Sequence, residues 1–181
     1  SNVDMAKLKA EYSYQLLKEK GASLKDKLFA NIGKANRLGA LAPRAYNALM
    51  KNSISSGIVK KIAGIAKERE LPLLQKNTLS KWFKSHEQKG PFSKGKIYLF
   101  NDEFTNYNDT HLGITSIKLL NALGYEVQIP EHLESGRAFI SKGFLDQAKA
   151  LAEKNTQLLS ELVSEKQPII GIEPSAILTL R

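Results

Sequence analysis

The chain has 181 residues, 42% of them apolar and 25% charged, with a formal net charge of +9. That length supports one sizeable core with room for a helical appendage, and the composition is that of an ordinary globular protein. It contains no cysteine, which excludes disulfides, thiolate metal sites and thiol nucleophiles, and no apolar run approaches the ~18 residues of a membrane-spanning helix.

The first half reads as helix. Residues 4–20 carry Met5, Leu8, Tyr12, Leu16 and Leu17 at helical spacing, and Gly21 stops the run. Ser23 can cap a second helix with Leu24, Leu28, Ile32 and Leu38 on one side. Pro43 starts a short third. Ser53 or Ser55 opens a fourth, with Ile54, Ile58, Ile62 and Ile65 on one face, which needs a surface to cover it, and Lys60, Lys61 and Lys67 opposite. Leu71-Pro72-Leu73 is extended, because proline restricts the residue before it. Thr78 can cap a short helix running past Trp82 towards an exposed His86, with Trp82 and Phe83 as packing anchors between the two halves. Gly90-Pro91 marks a boundary between a helical segment, 1–90, and a second unit, 91–181.

The second half changes period. Residues 97–100 form a short apolar strand, and 110–123 a helix with Ile114, Ile117, Leu120 and Leu123 inward. A second strand covers 125–129, a long helix 141–165 and a third strand 168–172, after which Ser175 starts another helix. The β-α-β-α-β order predicts an α/β fold: a small parallel sheet with flanking helices and right-handed crossovers, preceded by an all-helical amino-terminal segment.

Charge divides along the same line. Residues 1–90 carry 18 Lys and Arg against 7 Asp and Glu, whereas residues 91–181 carry 9 against 11. The basic half is a solvated helical surface, or one that docks to an acidic partner or an anionic membrane. Neither interleaved aromatics nor a reader motif recommends nucleic acid. No glycine-rich phosphate loop, dinucleotide fingerprint or nucleophile elbow occurs.

Three segments carry the functional signal, each placed after a predicted strand. They are Asp102-Glu103-Phe104-Thr105-Asn106-Tyr107, then His132-Leu133-Glu134-Ser135-Gly136-Arg137 with Ile140-Ser141-Lys142-Gly143, and Gly171-Ile172-Glu173-Pro174-Ser175-Ala176. Together they resemble the cysteine-bearing segments of the "CCG" domain found in heterodisulfide reductases and in FAD-linked oxidases of the D-lactate or glycolate dehydrogenase type. In that resemblance Glu103, Glu134, Ser135 and Ala176 stand where the family has thiols. More loosely, residues 1–9 resemble the text that follows a ferredoxin-type [4Fe-4S] motif, and Leu38, Gly64-Ile65-Ala66 and Trp82-Phe83 resemble the helical linker beyond it.

The resemblance implies that the chain is the tail of a longer FAD-linked oxidoreductase acting on a 2-hydroxy acid. FAD and the [4Fe-4S] cluster would then belong to upstream flavin and iron–sulfur domains, and the setting would be cytoplasmic, with peripheral attachment to the inner face of the membrane. The 91–181 unit would be a CCG-like module without its thiolates. Ligands in such sheets sit outside the carboxyl ends of the strands. Glu103, Glu134 and Glu173 would converge there with Asp102 and His132, below helix amino termini at Thr110, Ser141 and Ser175, while Arg137 and Lys142 neutralise carboxylates. Glu103, Glu134 and His132 could hold a divalent metal through oxygen and nitrogen, since a carboxylate is a hard ligand where a thiolate is soft. The alternative is a degenerate site, lined by Ser135, Gly136, Glu173 and Ser175 as well, whose groups bond only to loop backbone and to Arg137. A structural or electron-transfer-derived module thus stands beside two readings without redox function: an interaction module and a membrane tether.

Overall fold

The computed structural model describes residues 4–180. Residues 1–3, where the resemblance to the post-ferredoxin text begins, lie outside the described residues.

Six helices come first: α1 Met5–Lys20, α2 Leu24–Ala30, α3 Ile32–Gly39, α4 Pro43–Lys51, α5 Ser53–Ala63 and α6 Leu79–Ser85. Side-chain caps explain most of the starts. Asp4, Ser23, Asn52 and Thr78 each accept from first-turn N–H groups. The predicted second helix is broken at Asn31 (φ −102°, ψ 24°). Its side-chain amide donates to the Lys27 carbonyl at 2.9 Å, offering the backbone a local alternative to continuing the helix.

The sheet follows. β1 Lys96–Phe100, β2 Glu126–Gln128 and β3 Ile169–Gly171 pair in parallel in the order β2-β1-β3. Ile97 faces Val127, and Leu99 faces Ile170. The central strand is buried on both faces from Ile97 to Phe100, as a parallel sheet covered by helices demands. Between strands lie α7 Glu103–Tyr107, α8 Thr110–Ala122, α9 Arg137–Ser141 and α10 Leu145–Leu159, and after β3 come α11 Pro174–Ile177 and a 3₁₀ turn, Leu178–Leu180.

The core joins the halves. Leu79 of α6 is buried with Ile97, Leu99, Ile117 and Val127, and Trp82 and Phe83 pack against that cluster. A second cluster joins Ala30 of α2 to Phe139 of α9 and Ala148 of α10. The helical segment therefore packs on the α/β half.

Four local expectations are corrected. The long helix from Ser141 is two: Gly143, at φ +78°, separates α9 from α10, and a Cβ there would lie 2.6 Å from the Ser13 backbone of α1. Ser141 therefore ends a helix rather than starting one. The isoleucine face of α5 is outward. Ser56 and Ala63 are buried, whereas Ile54 is 74%, Ile58 57% and Ile62 49% exposed, because α5 packs against α2 and α4 through its small residues. Likewise α1 leaves Met5, Leu8 and Tyr12 exposed and leans on α10 through its Ser13–Tyr14 side. His86 is half-buried, not exposed, because it stacks on Trp82 with ring centroids 4.2 Å apart.

Candidate functional site at the carboxyl ends of the strands

β1 delivers Asn101 and Asp102 directly into α7. Asp102 is the N-cap: its Oδ1 accepts from the N–H groups of Phe104 (2.9 Å) and Thr105 (3.1 Å), and its Oδ2 from the Thr105 hydroxyl (2.5 Å). Three donors compensate a carboxylate that is only 1% exposed. Its role is to hold the strand-to-helix turn and thereby to aim Glu103.

Glu103 is 4% exposed and spans to the loop after β2. Ser135 donates to it twice, N–H to Oε2 at 3.0 Å and O–H to Oε1 at 2.8 Å. The Ser135 oxygen in turn accepts from the Arg137 N–H at 3.2 Å. Two of the positions where the resembled family carries sulfur thus form one buried hydrogen-bonded pair. A third, Ala176, is a methyl group 1% exposed.

Gly136 makes the next turn possible. Its φ of +79° lies in the left-handed region that suits glycine, and α9 starts immediately after it. Arg137 then crosses to the loop after β3, pairing with Glu173 at 2.9 Å, donating to the Ser175 hydroxyl at 2.6 Å and covering the Phe104 ring at 4.3 Å. The hydrogen bonds from Ser175, ahead of the Arg137 charge, hold the Glu173 carboxyl below the usual glutamate range. Glu173, not Ser175, is the N-cap of α11. Its carboxylate reaches the Ser175 N–H, and Pro174 occupies the first turn, where a missing N–H costs nothing.

His132 stacks on Phe100 with centroids 4.2 Å apart. Its Nε2 accepts from the Asn101 N–H at 3.1 Å and its Nδ1 faces the Leu133 carbonyl at 2.7 Å. A backbone N–H can only donate, so the proton sits on Nδ1 and the ring is neutral. Burial pushes its pKa down.

Glu134 points elsewhere. Its carboxylate rests on α3, where a Cβ at Gly33 would lie 2.5 Å from it. Burial, and then the Glu103 charge, push its pKa up, partly offset by Lys34 and Arg37. Lys142 also leaves the junction, pairing with Asp26 at 3.6 Å and covering Phe29.

The three loops therefore share one sheet edge, and Asp102, Glu103, His132, Ser135, Gly136, Arg137, Glu173 and Ser175 are gathered there. Among the described residues no group of three or more His, Asp or Glu is arranged to hold a metal. Both His132 nitrogens and both Glu103 oxygens are engaged within the protein, and Glu134 turns to another wall, so these three side chains do not assemble the expected oxygen–nitrogen ligand set. An iron–sulfur cluster does not fit these residues either, because its protein anchors are chiefly thiolates.

Asparagines, which drew no attention in the sequence, supply much of the scaffolding. Asn155 is fully buried, and its side chain accepts from the Leu133 N–H (2.7 Å) and donates to the Glu134 carbonyl (3.1 Å), fixing the loop after β2. Its place in α10 between Leu151 and Leu159, at the inward four-residue spacing, was the available signal. Asn36 binds Asn108 at 2.8 Å, and Asn108 binds the Leu73 carbonyl at 3.0 Å, tying α3 and the extended segment to α7. Beside the junction opens a cavity of about 900 Å³ lined by Asn101, Glu103, His132 and Glu134, among others.

No family model matches the chain, and no solved structure matches it at a significant level. Among curated proteins it is 28% identical over 169 residues to the D-2-hydroxyglutarate dehydrogenase of Pantoea ananatis, covering 87% of this chain and 16% of that one. The Escherichia coli D-2-hydroxyglutarate dehydrogenase is 24% identical over the same share of each chain. One subunit of the Escherichia coli anaerobic glycerol-3-phosphate dehydrogenase is 32% identical over 115 residues, 62% of this chain and 29% of its own. The chain thus has distant similarity, over most of its length, to longer oxidoreductases, of whose D-2-hydroxyglutarate dehydrogenase members it spans only 16%, and it carries none of the cysteine on which iron–sulfur chemistry depends.

Proposed function

We propose that this chain is a CCG-like module of a FAD-linked oxidoreductase of 2-hydroxy acids, in which a protein-only hydrogen-bonded junction has replaced the thiolate cluster. Its function is structural: it holds three loops and two helical layers together and carries no electrons. The observation that supports this reading is the buried Glu103–Ser135 pair, which occupies two of the cysteine positions of the resemblance and satisfies itself without a metal. Each oxygen of that carboxylate is already bonded within the protein. Flavin and iron–sulfur partners belong to other domains of the parent enzyme.

Anaerobic reconstitution with iron and sulfide tests it. The natural chain is expected to take up no cluster. A variant with Glu103→Cys, Glu134→Cys, Ser135→Cys and Ala176→Cys is expected to gain stoichiometric iron and thiolate-to-iron absorption. Cluster assembly on the natural chain, or a folded four-cysteine variant that stays colourless, would overturn the reading.

One observation favours a second reading, a docking module. The exposed Ile54, Ile58 and Ile62 face of α5 lies in a stretch, residues 27–67, with eight Lys and Arg and no Asp or Glu. Flotation with anionic and with neutral vesicles separates docking on a membrane from docking on a protein.

A further inference from the structure

A second cavity, of about 640 Å³, opens between α2–α5 on one side and α7, α9 and α11 on the other. Six large side chains with apolar or aromatic bodies face it: Phe29, Ile32, Tyr46, Met50, Val59 and Phe104. All six are half-buried, and none belongs to either buried cluster of the core. They surround a space without filling it, whereas protein interiors keep few voids larger than a water molecule. A space walled this way suits water poorly, because an ordered water needs two to four polar partners.

No Asp or Glu lines this cavity, and its two cations, Arg137 and Lys142, are already neutralised from outside it. Arg137 meets Glu173 at 2.9 Å, and Lys142 meets Asp26 at 3.6 Å. An anionic ligand would therefore have to compete with a carboxylate at either one. Arg137 nevertheless keeps hydrogen-bond donors. Its bonds to Glu173 and to the Ser175 hydroxyl both leave from Nη1, and a guanidinium carries five N–H groups. Those on Nε and Nη2 have no acceptor among the described residues. They are also reachable: the buried side-chain polar atom that lacks a partner among the described residues is Asn101 Oδ1, not a nitrogen of Arg137. The Phe104 ring lies 4.3 Å from the guanidinium, so the free donors border an aromatic surface.

We propose that this cavity binds an uncharged aromatic carbonyl compound. Its rings lie against Phe29, Tyr46 and Phe104, where offset and edge-on contacts add to the burial of apolar area. Its carbonyl oxygen accepts from the free N–H groups of Arg137. The volume suits such a ligand, since small-molecule sites span roughly 300–1,000 Å³ and are mostly apolar with a few placed polar groups. The donors favour it over a plain hydrocarbon, and the ion pairs already formed favour it over a carboxylate. This inference goes beyond the lost-cluster reading and does not rest on it, since it uses donors of Arg137 that the junction leaves free.

The test titrates the whole chain into dilute benzophenone, diphenylmethane and diphenylacetate, followed through the ligand signals in nuclear magnetic resonance. The three share two rings and carry a neutral carbonyl, no acceptor and a carboxylate respectively. Benzophenone is expected to bind about three- to tenfold tighter than diphenylmethane, the worth of one hydrogen bond, and tighter than diphenylacetate. Ala35→Trp places a large ring at an exposed position of α3 that lines the cavity, and is expected to weaken benzophenone and diphenylmethane alike by about tenfold or more. Arg137→Lys replaces the planar fork by a compact charge that Glu173 takes up, and is expected to remove the preference for benzophenone while both compounds still bind. Should that variant not fold, the natural chain and Ala35→Trp decide. Equal affinity of the natural chain for benzophenone and diphenylmethane would overturn the proposal. So would tighter binding of diphenylacetate, affinity unchanged by Ala35→Trp, or no binding with the chain at about 1 mM.

Discussion

A single serine carries much of the junction. Ser135 gives both its hydrogens to Glu103 and accepts from Arg137 with the same oxygen. Ser135→Ala removes a donor from a buried carboxylate and leaves the Arg137 N–H without its acceptor. We expect a loss of about 1–3 kcal/mol in urea unfolding, with the fold retained because the backbone N–H of Ser135 still holds Glu103. A loss under ~0.5 kcal/mol, the usual surface value, would show that Glu103 is satisfied otherwise. Glu134 behaves in the opposite sense. Its carboxyl is pushed up by burial and by Glu103, so the folded chain binds its proton more readily than the unfolded chain does. Protonation then stabilises the fold, fully below the unfolded value and progressively less as pH rises through the folded one. Glu134→Gln is therefore expected to raise the melting temperature at neutral pH, with the gain vanishing at acidic pH below the ordinary glutamate range of about 4.3. A gain that is constant with pH would refute that account. His132 pulls the other way. Its lowered pKa makes the native state favour the neutral ring, so stability falls as pH drops through the ordinary histidine value of about 6.5 towards the lower folded value. His132→Asn is expected to lose that pH dependence, and equal acid sensitivity in the variant and the natural chain would refute the account.

Two glycines separate a cheap contact from an expensive one. At Gly33 the nearest atoms to an added Cβ are the end of the Glu134 side chain, 2.5 Å away, which can swing aside. At Gly143 it meets the backbone of Ser13 at 2.6 Å, and the residue sits at φ +78°. Left-handed backbone alone costs a non-glycine residue about 1–2 kcal/mol. Gly143→Ala should therefore destabilise by at least that amount and push α1 off α10, whereas Gly33→Ala should cost less and mainly move Glu134. Amide exchange reads the difference. Residues 5–20 are expected to lose protection in Gly143→Ala and to keep it in Gly33→Ala. Equal protection in both would mean that α1 docks through other contacts, such as the 2.9 Å hydrogen bond from Tyr14 to Asp146. Asn31 acts at the same scale: its side chain bonds to the Lys27 carbonyl where a predicted long helix divides into α2 and α3.

The whole molecule is held by residues that cross the boundary at Gly90-Pro91. Leu79 belongs by sequence to the helical segment, yet it is fully buried with Ile97, Leu99, Ile117 and Val127 of the sheet unit. It fills the space left by Gly113 of α8, where a Cβ would lie 2.3 Å from the leucine side chain. Leu79→Ala is expected to cost about 2–5 kcal/mol. Fluorescence of Trp82 and far-ultraviolet circular dichroism should report one shared transition, at a lower denaturant concentration than in the natural chain. Two separate transitions would show that residues 4–85 and the sheet fold independently. The unpaired Ile54, Ile58 and Ile62 face lies outside this core, so substituting those isoleucines by serine should change stability by less than ~0.5 kcal/mol each. Such variants are suitable for testing docking without unfolding the chain.

Much of this was legible in the sequence because it rests on local rules. Helical spacing in the first half, the change of period at Ile97, the caps at Ser23 and Thr78, and the three motifs each following a strand are all readable from neighbours along the chain. They were enough to give the α/β class, the parallel sheet and the common edge where the loops meet. Other features depend on which distant segment lies alongside, and only the tertiary structure decided them. Spacing could not say that the small residues of α5 rather than its isoleucines face inward, since both form a stripe. It could not say that Glu103 closes on Ser135 while Glu134 turns to Gly33, since two adjacent loop residues point apart. Nor could it say that Asn101 keeps one buried oxygen unanswered beside a cavity. Those outcomes are settled by packing across the fold, where a side chain's partners stand tens of residues away in sequence.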